Sequence, residues 1–158
     1  MLLGKKRKLG RQIEEISVGE KLTLTEKIED KDILLYLGLT NDANPLFIQH
    51  DYASQTIYQK PVVPTIMLSG IITSAISKYF PGPGSYIESQ SLTYLLPVYH
   101  YSVVHFLFEV KEVMKKENKI VIEVIAKNEQ EENVIRGTLT VCPPKKINTM
   151  NGSALENF

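Results

Sequence analysis

The stretch from residue 65 to residue 79 constrains the fold most, because it is apolar or small on every side of a helix. Isoleucine, leucine, methionine and alanine are mixed there with serine, threonine and glycine, and no acidic residue interrupts them. A helix that is hydrophobic all round is buried. Small residues such as Gly70 and Ala75 would let neighbouring backbone come close. The sequence therefore predicts a long central helix over about residues 65–80, with the rest of the chain packed around it.

Four segments after this helix alternate apolar and polar residues with the period of a strand. Each segment has one apolar face, formed in turn by Leu92, Tyr94 and Leu96; Val104, Phe106, Phe108 and Val110; Ile120, Ile122 and Val124; and Ile135, Leu139 and Val141. This order of elements predicts an α+β domain in which an antiparallel β-sheet wraps around one helix. An open sheet edge and an apolar flank predict pairing with another chain, as a homodimer or a higher oligomer.

The chain ahead of the central helix predicts one strand and two helices. Leu22 and Leu24 alternate with threonine, which is typical of a strand. Acidic residues at its start predict a helix over about residues 30–39. Residues 41–46 are expected to break that helix, and residues 51–57 to form a short helical piece.

Length and composition favour one domain, since 158 residues with 43% hydrophobic content are enough for a sizeable core. We expect a basic N-terminal segment over residues 1–14, the folded domain over residues 15–144 and a C-terminal tail over residues 145–158. Lysine plus arginine and aspartate plus glutamate both total 18, so no overall charge attracts nucleic acid or a membrane surface. The basic run at residues 5–8 is expected to be a solvated tail.

Several classes of protein are not indicated by the sequence. The single cysteine, Cys142, excludes an internal disulfide and fits a reducing compartment. The first residues lack the apolar core of a signal peptide, and no apolar run has the length of a membrane helix. A cytoplasmic protein is therefore predicted. No metal-binding spacing of cysteine and histidine occurs, and Gly82-Pro83-Gly84 lacks the context of a nucleotide loop, so no cofactor is predicted.

The segment Asp42-Ala43-Asn44-Pro45-Leu46-Phe47 carries the strongest functional signal. By itself, Asp42 beside Asn44 and Pro45 fits an Asx turn or a helix cap. Three further blocks follow it in order along the chain: Tyr58–Val63, Pro81–Tyr86 and Ser89–Val98. Together, the four blocks resemble the MaoC-like (R)-specific enoyl-CoA hydratase/dehydratase family, a branch of the hotdog fold, over about residues 20–143.

The resemblance implies a single hotdog fold, a dimer, and an acyl-CoA or acyl-ACP thioester as substrate. In that family the first block reads Asp-x-Asn-Pro-Leu/Ile-His, and the aspartate and histidine together activate a water. Asp42 is thereby implied as the proton-transfer group. A backbone N–H at the start of the central helix, here that of Thr65, is implied as the donor to the thioester oxygen, since helix N-termini favour negative charge.

Two positions depart from the family pattern. Phe47 occupies the histidine position, and Pro64-Thr65 stands where the family has His-Gly. Phe47 cannot transfer a proton, but it would line the pocket with an apolar ring. His50, three residues further on, could face the same way on a helical turn, or it could lie at the surface. Asn44 is a candidate for substrate binding but is expected rather to hold the loop. Gln90, also a candidate, is expected to line the pocket or to bond to the backbone.

Three functions remain open from the sequence. The first is a MaoC-type enzyme that hydrates trans-2-enoyl-CoA or enoyl-ACP, or that catalyses the reverse dehydration. The second is a non-catalytic acyl-thioester-binding protein, or the partner subunit of a catalytic hotdog chain, which Phe47 and Pro64-Thr65 both suggest. The third is an acyl-CoA thioesterase, since other hotdog branches hydrolyse acyl-CoA with a single carboxylate.

Overall fold

The computed structural model describes residues 8–147, in which five strands form a single antiparallel sheet. The sheet order is β1-β3-β4-β5-β2, and the strands are β1 (Lys21–Lys27), β2 (Tyr86–Tyr94), β3 (Val103–Met114), β4 (Lys119–Lys127) and β5 (Asn133–Cys142). Most of the predicted basic run and most of the predicted C-terminal tail lie outside the described residues. The α+β class and the antiparallel sheet predicted from the sequence are confirmed.

Four α-helices accompany the sheet: α1 (Asp30–Thr40), α2 (Pro45–Ile48), α3 (His50–Ala53) and α4 (Thr65–Tyr79). The long central helix is therefore present with almost the predicted bounds. No helix within residues 8–147 is long and apolar enough to cross a membrane.

The core lies between α4 and one face of the sheet. Alternate residues of β3 and β4 are buried there, and the ring centroid of Phe108 lies 6.4 Å from that of Phe80 and 6.3 Å from that of Phe106. α4 contributes Leu68, Ser69, Ile72, Ala75 and Ile76. Burying each large apolar side chain stabilises the fold by about 1.5–3 kcal/mol. These buried side chains hold α4 against the sheet.

The outer face of α4 corrects one prediction. The helix was expected to be buried on every side, but Ile66 is 55% exposed, and Gly70 and Thr73 are exposed as well. The sheet covers one side of the helix only, and the small residues on the other side face outward. In the single chain, α4 is therefore buried along one face.

Three local boundaries also differ from those predicted. α2 begins at Pro45, inside the expected break, because Asn44 caps it and the fixed φ of proline suits the first helical position. α3 ends at Ala53, earlier than expected. β2 ends at Tyr94, so Leu96 lies beyond the strand, next to Pro97, which has no N–H for a sheet ladder.

The segment before β1 packs against the domain. The N–H of Gly10 donates to the carbonyl of Pro83 at 2.8 Å, and the N–H of Arg11 donates to that of Pro81 at 3.0 Å. Ile13 is only 3% exposed and belongs to the core. Part of the predicted N-terminal segment therefore contacts the fold, and the domain boundaries at residues 14 and 144 stay predictions.

Candidate active site

A left-handed turn at the end of α1 sets the position of Asp42. Asn41 has φ 56° and ψ 25°, and its N–H donates to the carbonyl of Leu37 at 2.8 Å. Asparagine accepts this conformation more readily than most residues. The turn brings the Asp42 side chain back to α1, where the hydroxyl of Tyr36 donates to Asp42 Oδ2 at 2.7 Å.

Both oxygens of the partly buried Asp42 carboxylate accept a hydrogen bond. Oδ1 accepts from the N–H of Asn44 at 3.0 Å, which makes the Asx turn, and Oδ2 accepts from Tyr36. The hydrogen bond to Asp42 raises the pKa of Tyr36 above its ordinary value, so the phenol stays protonated and remains a donor. Asp42 therefore makes the Asx turn considered above, and its carboxylate also has a fixed orientation.

Asn44 holds the loop that leads into α2. Its Oδ1 accepts the N–H of Leu46 at 3.0 Å, which caps the helix. Side-chain caps of this kind satisfy backbone donors that have no partner within the helix. Asn44 is therefore bound within its own loop.

Phe47 and Thr65 line the same cavity, which has a volume of about 300 Å³. Its other walls are largely apolar and include Leu68 of α4, Tyr58 and Pro97. Thr65 is the first residue of α4, and Pro64 precedes it without a side-chain cap. The first N–H groups of a helix have no partner within that helix and lie at the positive end of its dipole. The cavity thus combines apolar walls with a helix N-terminus.

His50 lies on a different cavity, of about 350 Å³, which it lines together with Asp30, Lys60, His100 and Tyr101. It is the first residue of α3 and is exposed. The structure therefore does not bring His50 and Phe47 together on one cavity.

His100 connects the segment of Phe47 to α1. Its Nε2 lies 3.1 Å from the carbonyl oxygen of Phe47, and its Nδ1 lies 3.3 Å from Asp30 Oδ1. Both partners are acceptors, so both nitrogens donate when the imidazole carries two protons. The hydroxyl of Tyr101 and then His100 lower the pKa of Asp30 by hydrogen bonding. The His100 side chain is partly buried, with 21% of its surface exposed.

Gln90 connects the edge strand β2 to α4. Its Nε2 donates to Oγ of the buried Ser69 at 3.1 Å. Gln90 does not line the cavity of Phe47, whereas Tyr94 of the same strand does, and burial raises the pKa of Tyr94. Among residues 8–147, no three side chains of histidine, cysteine, aspartate or glutamate are grouped to hold a metal ion.

Comparison with known proteins identifies the family. The sequence pattern described as "MaoC like domain" matches residues 13–134, which is well over half of the chain. The chain belongs to the MaoC-like domain family. The recognition made from the four sequence blocks is therefore confirmed at the level of the family.

Two relatives show how far the similarity in sequence extends along the chain. The chain is 33% identical to an (R)-specific enoyl-CoA hydratase of Rhodospirillum rubrum over 85 residues, which cover 54% of this chain and 59% of that protein. It thus spans less than two thirds of that relative. It is 26% identical to a 3-hydroxybutyryl-CoA dehydratase of Methylorubrum extorquens over 133 residues, 84% of each protein.

The fold agrees with that of a solved R-hydratase. The unliganded R-hydratase PhaJ1 of Pseudomonas aeruginosa superposes with a TM-score of 0.80 and 23% identity, over 92% of this chain and 96% of that one. At this identity the likeness concerns the fold alone. The hotdog fold implied by the sequence is confirmed for this MaoC-like chain.

Two contacts at the site were not foreseen from the sequence. The bond between Tyr36 and Asp42 depends on the turn at Asn41, and the bond between His100 and Phe47 joins residues that are 53 positions apart. The only available signal for the first was a tyrosine six residues before the aspartate, with a turn-forming asparagine between them. No feature of the local sequence indicates the contact between His100 and Phe47.

Proposed function

We propose that this MaoC-like chain hydrates trans-2-enoyl thioesters, or dehydrates 3-hydroxyacyl thioesters, with coenzyme A or acyl carrier protein as the carrier. The observation that carries the proposal is the oriented carboxylate of Asp42, which stands five residues before Phe47 in the sequence. Asp42 does not itself line the cavity that Phe47 shares with Thr65. The relatives named enoyl-CoA hydratase and 3-hydroxybutyryl-CoA dehydratase support the two directions of this reaction.

Asp42 would act as the base and then as the acid. Each carboxylate oxygen accepts one hydrogen bond, which leaves further acceptor capacity for a water proton. Asp42 takes that proton while the water oxygen bonds to C3 of the enoyl group and the C2–C3 π electrons move toward the thioester oxygen. The proton then passes from Asp42 to C2, and the product is the 3-hydroxyacyl thioester.

The N–H of Thr65 would stabilise the negative charge that grows on the thioester oxygen. Threonine retains the backbone donor that the family's glycine supplies, and the start of α4 favours an anion. Thr65 lines the cavity whose apolar walls suit an acyl chain. This supports a single cavity for the proposed oxyanion donor and the acyl group.

Phe47 lowers the hydration rate that we expect from this site. A positioned acid or base contributes typically about 100- to 10,000-fold, and the Phe47 ring can supply neither function. Asp42 would therefore carry both proton transfers, at a lower rate than a site with an aspartate and a histidine. The position of His50 on a different cavity supports the same expectation.

Phe47 also favours a second candidate, in which the chain binds acyl thioesters without turnover or assists a catalytic hotdog subunit. In either case we propose that the chain pairs with a second chain. The exposed outer face of α4, with Ile66, and the position of β2 at the sheet edge support this pairing.

Location in the cytoplasm stays a prediction from the sequence.

The test is hydration of crotonyl-CoA and of a longer trans-2-enoyl-CoA, followed as loss of the enoyl-thioester absorbance. Wild type is expected to turn over both, Asp42→Asn to lose activity, and Asp51→Asn, an exposed control on α3, to retain it. An inactive wild type with activity gained in Phe47→His would refute turnover and support the second candidate. Release of free coenzyme A from a saturated acyl-CoA would indicate a thioesterase instead.

A further inference from the structure

Tyr36 is the side chain that contacts Asp42 from outside the turn of residues 42–44. Its hydroxyl lies 2.7 Å from Asp42 Oδ2, an ordinary length for an O–H···O bond. The other bond to the carboxylate comes from the backbone N–H of Asn44, within the turn itself. Tyr36 therefore connects the carboxylate to a separate element, the helix α1.

The helix that carries Tyr36 is fixed at both ends. Ile33, one turn earlier, is 2% exposed and belongs to the core. At the C-terminal end, the hydroxyl of Thr40 donates to the carbonyl of Tyr36 at 2.8 Å, and the N–H of Asn41 closes the last turn on Leu37. A donor on such an element holds its acceptor in a defined place, which proton transfer requires.

The hydroxyl of Tyr36 is used as a donor and not as a base. Asp42, and then burial, raise the pKa of Tyr36, so the phenol keeps its proton at neutral pH. That proton is directed at Asp42 Oδ2 and is not free for the substrate. Phe47 offers no donor to Asp42, so among the described side chains Tyr36 alone donates to this carboxylate.

We propose that Tyr36 is a positioning residue that holds the Asp42 carboxylate in the orientation needed for proton transfer. This inference rests on the proposed hydration of enoyl thioesters. A phenylalanine at this position would keep the ring and its packing but would leave Oδ2 without its donor. The carboxylate would then be held by the Asn44 N–H alone and could rotate.

The kinetic test is Tyr36→Phe, with Tyr52→Phe as the control at an exposed tyrosine of α3. Loss of a hydrogen bond to a charged group predicts that kcat for crotonyl-CoA falls about tenfold or more in Tyr36→Phe, while KM changes less than about twofold. The control is expected to match wild type. An unchanged kcat in Tyr36→Phe, or equal losses in the two variants, would overturn the inference.

A titration tests the contact without turnover. In protein with ¹³C-labelled tyrosine rings, the Tyr36 signal, assigned from its absence in Tyr36→Phe, is expected to titrate at lower pH in Asp42→Asn than in wild type. An unchanged Tyr36 titration would overturn the contact, whether or not the enzyme is active. A wild type that is inactive toward enoyl thioesters would instead refute the proposed function, so the two failures are distinguishable.

Discussion

Gly137 of β5 gives the sharpest prediction about the fold. It lies opposite Leu92 of β2 and Val124 of β4. A Cβ atom built at Gly137 would lie 2.1 Å from the backbone oxygen of Ser91 and 2.9 Å from Cα of Leu92, closer than real Cβ contacts. These are backbone atoms of a paired strand, so no side-chain rotation relieves the contact. Gly137→Ala therefore requires β2 to move away from β5 by about 1 Å.

The magnitude follows from two contributions. Overpacking in a close-packed region costs about 1–3 kcal/mol, and each weakened ladder hydrogen bond adds about 1 kcal/mol. Gly137→Ala is therefore expected to lower the free energy of unfolding by about 3 kcal/mol. Gly38→Ala is the matched control, because a Cβ at Gly38 meets nothing within 4 Å and the residue lies in α1. Alanine is the better helix former, so this variant should gain about 0.5–1 kcal/mol.

Urea unfolding followed by circular dichroism measures both changes. The expected result is a lower midpoint for Gly137→Ala and a slightly higher one for Gly38→Ala, with similar slopes. A Gly137→Ala protein within about 0.5 kcal/mol of wild type would show that β2 and β5 are not as closely paired as described. Shifts of the same sign in the two variants would refute the reasoning about the glycine environments.

Two further predictions concern the cluster around His100. His100→Ala removes the bond to the Phe47 carbonyl and should lower the free energy of unfolding by about 1 kcal/mol. His50→Ala should change it little. Equal losses of the two variants in urea unfolding would contradict the described contacts. The pKa of Asp30 is lowered in the folded chain by Tyr101 and His100, so its stabilising contribution is present above the ordinary pKa of 3.8 and is lost as pH falls through the lower folded value. As pH falls below about 5, wild type should therefore lose more stability than Asp30→Asn, and parallel curves would count against this linkage.

The fold was predictable because each long element has one dominant period. Alternation along β3 and β4 and the continuous apolar character of α4 both reflect burial against one core, so their bounds could be placed closely. The short helix α2 was not predictable, because it depends on the cap supplied by Asn44 within a turn-rich segment. The exposed outer face of α4 was missed, because apolar character along a helix does not show which side a single chain covers.

The site was predictable only where the sequence carries a local motif. Asp42 and Asn44 stand in such a motif, and in the structure the Asn44 side chain caps α2. The contact of Tyr36 with Asp42 is not a helical i, i+3 or i, i+4 pair and exists only because Asn41 turns the chain. The separation of His50 from the Phe47 cavity likewise follows from the break between α2 and α3, which the spacing of three residues does not reveal.

The ratio of kcat/KM for trans-2-enoyl-CoA between wild type and Asp42→Asn tests the central claim most directly. Asparagine keeps the shape of the side chain and can still accept from Tyr36, but it cannot take a proton from water. If Asp42 is the proton-transfer group, the ratio should be about 100 or more, with both proteins folded and binding the substrate comparably. A ratio near one in an active enzyme would contradict the role assigned to Asp42.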